Sequence, residues 1–184
     1  MRIVGGTMKG RALKGPTSST TRPTSDRLRE SLFNVLAHGY GDACNGARVL
    51  DLFAGTGALG LEALSRGARF ALFVEEAAGA RATIRDNVEA LGLTGATRIF
   101  RRDTTRLGPH TGAAPYDLVF CDPPYGKSLG EAALAAARVG GWLAENALIV
   151  MEERTGLFIT PEGFREMDRR PYDESELIFL EPDA

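Results

Sequence analysis

Short apolar runs alternate with segments of helical periodicity between residues 47 and 122. The runs are rich in Val, Leu, Ile and Phe, and helices of about ten or more residues separate most of them. This alternation is typical of βαβ units, whose parallel strands are buried on both faces. We therefore predict an α/β fold with a doubly wound, mainly parallel sheet of about seven strands.

The helices and the end of the sheet are predicted from periodicity and from their flanking residues. Helices are predicted over residues 25–37, 58–67, 77–92 and 129–139, with Thr24 or Ser25 as the first N-cap. Gly67 and Gly92 suit the left-handed position that closes a helix. Segments 164–170 and 174–180 predict an antiparallel pair that completes the sheet.

Charge is distributed unevenly along the chain. Of 184 residues, the first thirty hold seven basic and two acidic side chains, although the whole chain has a net charge of -2. We predict a basic N-terminal arm and helix over residues 1–40, packed on a single globular unit over residues 41–184. The arm is either a solvated charged segment or a surface that attracts a polyanion.

The composition argues against disulfides, metal sites and membrane spans. Cys44 and Cys121 lie far apart with no Cys-x-x-Cys pair, and the only two histidines are His38 and His110. The cysteines are therefore expected to be reduced and structural, with no metal bound. No apolar run approaches 18 residues and no signal-type segment opens the chain, so we expect a cytoplasmic protein.

A glycine pattern lies where the first predicted strand meets a helix. Gly55, Gly57 and Gly60 form G-x-G-x-x-G, which permits a tight turn, close approach of a ligand to the backbone and close packing of helix on strand. Glu75 follows Gly55 by 20 residues, where a carboxylate can accept both hydroxyls of a ribose. The pattern favours a Rossmann-like nucleoside site over an incidental glycine-rich turn.

Two further features bear on which nucleoside binds. Asp51 lies inside the strand, four residues before the first glycine, where a dinucleotide site generally has an apolar residue. The fourth predicted strand ends in Asp122-Pro123-Pro124-Tyr125, and consecutive prolines make that loop rigid. A rigid loop with an acid, free carbonyls and an aromatic ring is suited to holding a planar amine. Both features favour S-adenosylmethionine over a nicotinamide cofactor.

These motifs resemble those of class I methyltransferases that modify planar nitrogens, which carry (Asn/Asp)-Pro-Pro-(Tyr/Phe) and an Asp-x-Phe-Ala-Gly-Thr-Gly loop. Residues 1–6, 9–11, 22–34 and 50–68 extend the resemblance to the bacterial 16S ribosomal RNA guanine-N2 methyltransferases, the RsmD family. The resemblance implies methyl transfer from S-adenosylmethionine to the exocyclic N2 amine of a guanine. The implied substrate is 16S ribosomal RNA within a small subunit or an assembly intermediate. We expect a monomer.

The resemblance also assigns roles to residues of this sequence. The catalytic loop would be Asp122, Pro123, Pro124 and Tyr125. The cofactor would contact Asp51, Phe53, Ala54, Gly55, Thr56, Gly57, Glu75 and, through its adenine, Asp103. Basic side chains of the arm would bind RNA phosphates: Lys9, Arg11, Lys14, Arg22 and Arg27. Cys121 is expected to pack as a small apolar side chain.

Three other functions stay open on the sequence. The loop suits any planar amine, so DNA adenine or cytosine and a protein glutamine are alternative methyl acceptors. The glycine pattern with Glu75 also occurs in NAD-dependent oxidoreductases. A noncatalytic RNA-binding assembly factor would keep the same fold without the reaction.

Overall fold

A seven-stranded mixed sheet forms the centre of the protein, which we describe from a computed structural model over residues 1–17, 24–112 and 114–184. The strands follow the order β3-β2-β1-β4-β5-β7-β6, with β1 to β5 parallel and β6 and β7 antiparallel. They are β1 Arg48–Leu52, β2 Phe70–Val74, β3 Thr97–Phe100, β4 Tyr116–Cys121, β5 Leu143–Arg154, β6 Phe164–Tyr172 and β7 Ser175–Pro182. The predicted Rossmann-like sheet and its antiparallel end are confirmed.

Side chains of alternate residues along the strands enter two separate apolar cores. In β1, Val49 packs with the helices over residues 26–39, 58–65 and 78–90 on one face, whereas Leu50 and Leu52 pack with the helix over residues 129–139 on the other. Cys121 belongs to the second core and is buried, as expected of a small apolar side chain. Burial on both faces explains why the strands are continuous apolar runs rather than alternating ones.

In the part of the chain that the structure describes, four α-helices cover the sheet: α1 Asp26–Gly39, α2 Ala58–Ser65, α3 Ala78–Ala90 and α4 Leu129–Val139. Ser25, rather than Thr24, caps α1, because its Oγ accepts from the backbone N–H of Leu28 at 3.0 Å. Gly67 and Gly92 follow α2 and α3 with φ of 108° and 70°. The predicted helix ends are therefore confirmed to within a few residues.

The N-terminal segment folds back onto α2 and α3. Its backbone pairs with itself through the Arg2–Ala12 bridge, and the N–H groups of Val4 and Gly5 donate to the Glu62 carboxylate on α2 at 3.0 and 2.9 Å. Further along, the Lys14 N–H donates to Asn87 Oδ1 of α3 at 2.7 Å. The segment is therefore anchored on the helices and is no free tail.

The described residues contain neither a membrane-spanning helix nor a cluster of potential metal ligands. No helix in this part of the chain is long and apolar enough to cross a membrane. Within the same ranges, no group of three or more His, Cys, Asp and Glu side chains is arranged to hold a metal ion.

Candidate active site

The carboxyl ends of β1, β2 and β4 meet at a cavity of about 480 Å³. This volume is within the usual range for small-molecule sites. Both predicted motifs contribute to its wall, which is lined by Thr24, Asp51, Phe53, Ala54, Gly55, Thr56, Ala58, Leu59, Glu75, Asp122, Pro123, Pro124, Tyr125 and Lys127. The topology thus joins the glycine loop to the Asp-Pro-Pro-Tyr loop, although they are about 70 residues apart.

The glycine loop turns sharply between β1 and α2. Gly55 and Gly57 have φ of 59° and 80°, a region that favours glycine, and Phe53 adopts φ of 57° despite its side chain. Gly57 itself does not line the cavity but leads the chain into α2. A Cβ at Gly60 would lie 2.5 Å from Cε1 of the buried Phe73 ring. The last glycine of the motif therefore permits α2 to pack on β2.

Asp51 lies buried beneath this loop. Its Oδ2 accepts from the backbone N–H of Gly60 at 3.0 Å. Burial is the main cause that raises the pKa of the Asp51 carboxyl well above its ordinary 3.8, and the nearby carboxylates of Asp122 and Glu75 raise it further. A cationic ligand group in the cavity would relieve this repulsion.

The raised pKa of Asp51 makes the stability of the ligand-free protein pH-dependent. The unfolded carboxyl ionises near 3.8 and the folded one only at higher pH, so stability falls as pH rises through this interval and stays lower above it. Asp51→Asn cannot ionise and should raise the free energy of unfolding more at pH 8 than at pH 5, measured by urea denaturation. Equal effects at both pH values would contradict this expectation.

Glu75, at the end of β2, holds the glycine loop from the other side. Its Oε1 accepts from the Gly55 N–H at 2.8 Å and its Oε2 from the Ala77 N–H at 2.9 Å. Because a carboxylate can accept about four hydrogen bonds, ribose hydroxyls could donate to Glu75 without displacing these contacts. The predicted ribose position is thus compatible with the geometry.

The Asp-Pro-Pro-Tyr loop is anchored by contacts from Thr24, just before α1, and from β5. The Thr24 hydroxyl donates to Asp122 Oδ2 at 3.0 Å from the start of α1. The Tyr125 hydroxyl donates to Glu152 Oε1 of β5 at 2.7 Å, and the guanidinium of Arg154 lies 5.7 Å from the centre of the Tyr125 ring. The loop is thus positioned before any substrate binds, as a site for a weakly nucleophilic amine requires.

Asp103, the residue predicted to contact adenine, is not among the residues that line this cavity. Its carboxylate accepts from the N–H and hydroxyl of Thr105 at 2.9 and 2.7 Å. Those bonds are the main reason that the pKa of Asp103 is lowered. Its contact with adenine stays a prediction.

The predicted RNA-binding residues differ in their surroundings. Lys9 and Arg27 are exposed, whereas Arg11 donates to the Ala90 carbonyl at 2.8 Å and Lys14 pairs with an α3 carboxylate at 2.8 Å. Arg22 lies outside the described residues. Their contacts with RNA stay predictions.

The structure adds site residues that the sequence analysis did not select. Thr24 had been considered only as a helix cap, and nothing in its local pattern indicates a contact with a residue 98 positions away. Lys127 and Glu152 were also missed. Glu152 had one usable signal, since it follows the predicted strand 147–151 and so lies at the carboxyl end of β5 beside β4.

Comparison with known proteins decides the family. A family described as Conserved hypothetical protein 95 matches residues 1–181. The chain belongs to this family. Ribosomal RNA small subunit methyltransferase D of Escherichia coli K12 is 41% identical over 152 residues, which cover 83% of this chain and 74% of the relative.

Solved structures agree with this membership in the Conserved hypothetical protein 95 family. The yhhF protein of Escherichia coli is 33% identical and superposes with a TM-score of 0.83 over 100% of this chain and 98% of its own. An S-adenosylmethionine-dependent methyltransferase from Thiobacillus denitrificans, solved with S-adenosyl-L-homocysteine, shares the fold at 17% identity. It has a TM-score of 0.58, over 74% of this chain and 52% of its own.

The predicted class, an S-adenosylmethionine-dependent methyltransferase, is confirmed, and the oxidoreductase alternative is set aside. The cavity also fits the cofactor on its own terms. Bare backbone at Gly55, the Glu75 carboxylate and the buried Asp51 offer, respectively, close approach, a hydroxyl acceptor and a negative charge for a cationic group.

Proposed function

We propose that this protein transfers a methyl group from S-adenosylmethionine to the exocyclic N2 amine of a guanine in small-subunit (16S) ribosomal RNA. The observation that carries the proposal is the shared cavity in which the Asp-Pro-Pro-Tyr loop faces the glycine loop and Glu75. The Escherichia coli relative named as a small-subunit ribosomal RNA methyltransferase supports the choice of substrate.

The proposed task of the Asp122 loop is to hold and polarise the amine. The lone pair of guanine N2 is delocalised into the ring, so the nitrogen is a poor nucleophile. Hydrogen bonds from its two protons to the Asp122 carboxylate and the Pro123 carbonyl would bias N2 toward a tetrahedral shape and orient its lone pair. The Asp122 carboxylate also stabilises the positive charge that develops on the amine.

S-adenosylmethionine, when bound, supplies a methyl group on a cationic sulfur, and transfer breaks the sulfur–carbon bond, forms the N2–carbon bond and releases one N2 proton. Tyr125 offers its ring as a stacking surface for the extruded base. Such base–aromatic stacking contributes about 1–3 kcal/mol. The hydrogen bond from the Tyr125 hydroxyl to Glu152 keeps the ring at the cavity wall.

Labelled methyl transfer to three substrates tests the proposed function. Small subunits from cells lacking the enzyme, deproteinised ribosomal RNA and duplex DNA are compared side by side. We expect label on ribosomal RNA, on subunits above all, released by digestion as N2-methylguanosine. Label on DNA alone would overturn the substrate, and no label anywhere despite cofactor binding would favour the noncatalytic assembly factor. A protein glutamine acceptor would place the label on protein.

Cofactor affinity should depend on Glu75. Glu75→Ala removes an acceptor for both the loop and the ribose, so the Kd for S-adenosylhomocysteine should rise about 10- to 100-fold. Calorimetric titration measures the change. The matched control is Glu76→Ala, which removes the neighbouring exposed carboxylate and should leave the Kd within about twofold. Equal effects of the two variants would contradict the assignment.

RNA affinity should fall steeply as salt rises, since phosphate contacts release counterions. Removing one phosphate contact reduces the slope of log K against log salt by about 0.7–0.9. Arg27 is exposed and lines a groove together with Thr24, whose hydroxyl contacts Asp122, so Arg27→Ala should produce such a reduction. Arg138→Ala, at the end of α4 on the other face of the sheet, is the control and should leave the slope unchanged. A slope near zero for the unmodified protein would exclude this role.

A further inference from the structure

A second groove of about 490 Å³ adjoins the catalytic cavity between the start of α1 and the β6–β7 turn. Thr24 lines both spaces. A small cavity between them is lined by Asp122 and Cys121 together with Thr24, Leu28 and Glu152. Asp122 of the first cavity and Glu152 of the groove therefore share the wall of this small cavity.

Glu152 is the buried carboxylate of this groove. Glu152 is 5% exposed, and it lines both the groove and the small cavity that Asp122 also lines. The Tyr125 hydroxyl donates to its Oε1 at 2.7 Å, while the next residue, Glu153, accepts from the Gly126 N–H at 3.2 Å. The end of β5 thus supports the loop, and its Glu152 lines the same small cavity as Asp122.

The chemistry of guanine matches two neighbouring acceptors. Its Watson–Crick edge carries the N2 amine and, next to it, the N1–H donor. If Asp122 and the Pro123 carbonyl hold N2, then N1–H needs an acceptor beside them. An ionised carboxylate is acceptor-only, and each oxygen can accept more than one hydrogen bond, so the bond from Tyr125 is compatible with another donor.

We propose that Glu152 accepts the N1–H of the target guanine and so determines which base the enzyme methylates. This inference rests on the function proposed above. Adenine and 2-aminopurine present an N1 lone pair at that position, which the Glu152 carboxylate repels. A site that accepts a hydrogen bond from a substrate N–H discriminates strongly against an analogue that lacks this donor.

The decisive comparison uses two bases that share the N2 amine, of which only guanine carries N1–H and a 6-oxo group. A preference that depended on O6 alone would persist in Glu152→Gln. Small subunits are assembled on ribosomal RNA with either guanosine or 2-aminopurine at the mapped methylation position. Single-turnover methyl transfer is measured for the unmodified protein, Glu152→Gln and Glu145→Gln. Glu145→Gln makes the same change on the exposed, opposite end of β5.

We expect the unmodified protein and Glu145→Gln to prefer guanine by about 10- to 100-fold. Glu152→Gln should narrow that preference at least about tenfold, because the amide of Gln can donate to the N1 of 2-aminopurine. Tyr125→Phe removes the hydroxyl but keeps the Glu152 carboxylate, so it should slow both reactions and retain the preference.

Three results would overturn the inference. The first is that the unmodified protein methylates both bases equally. This result does not depend on whether any variant folds. The second is that Glu152→Gln slows the methylation of both bases by the same factor, which is the result expected if Glu152 has only a structural role. The third is an unmodified protein that transfers no methyl to guanosine-containing subunits. Only this last result also overturns the proposed function, so the two failures are distinguishable.

Discussion

Asp122→Ala should lower methyl transfer by about 10²- to 10³-fold, the cost of removing one preorganised group that stabilises charge in a transition state. The alanine leaves one amine proton without its acceptor and the developing positive charge without its carboxylate. Rates are measured under single-turnover conditions with small subunits as substrate. Asp122→Ala with unaltered turnover would refute the catalytic role of the side chain.

The affinity for S-adenosylhomocysteine separates catalysis from cofactor binding in this variant. This product carries no positive charge on sulfur, so loss of the Asp122 charge should change its Kd little. The matched variant Asp122→Asn keeps a carbonyl oxygen that can accept from the amine. We expect its activity to lie between those of the unmodified protein and Asp122→Ala, because it accepts the proton but supplies no negative charge.

Glu62→Ala should destabilise the protein by about 3–5 kcal/mol, the usual cost of breaking a buried ion pair from one side. Glu62 and Arg29 are both fully buried, and their side chains pair at 3.2 Å. Burial is the main cause that lowers the pKa of Arg29, and the charges of Asp26 and Glu62 oppose it. Without Glu62, the Arg29 cation and the Val4 and Gly5 N–H groups lose an acceptor.

Urea denaturation measures this loss, and a surface pair provides the control. Lys14 and Asp86 pair at 2.8 Å with side chains 66% and 50% exposed, so Asp86→Ala should cost at most about 1 kcal/mol. Glu62→Gln keeps one carbonyl acceptor, so its loss of unfolding free energy should lie between those of Glu62→Ala and Asp86→Ala. A cost below about 1 kcal/mol for Glu62→Ala would contradict the view that this pair anchors the N-terminal segment.

The buried Arg29 also changes the interpretation of the basic arm. Seven cations in the first thirty residues predict a positive surface, but Arg29 holds α1 to α2 through Glu62 and donates to the Arg2 carbonyl at 2.7 Å. The charge near the catalytic cavity comes instead partly from Lys127 and Arg154, far along the chain. Formal charge along a segment therefore overstates what reaches the surface.

Local patterns were sufficient to predict the helices, the strands and the glycine loop. Gly57 and Gly60 are needed for reasons that lie within one turn and its adjoining helix, and α4 begins and ends at the predicted residues 129 and 139. The antiparallel end of the sheet follows likewise from two adjacent strands joined by a short turn. β5 is longer than predicted and begins at Leu143 rather than residue 147, because its first residues are less apolar.

The parallel sheet, the tight glycine turn and the rigid Asp-Pro-Pro-Tyr loop could be predicted from the sequence, because periodicity, turn geometry and proline stiffness are local properties of the chain. Three contacts became visible only in the folded protein: Thr24 with Asp122, Tyr125 with Glu152, and the buried pair of Arg29 and Glu62. Those contacts depend on strand order and on how α1 packs across the sheet. Thr24 and Asp122 are 98 residues apart in the chain, and no local pattern encodes such a contact.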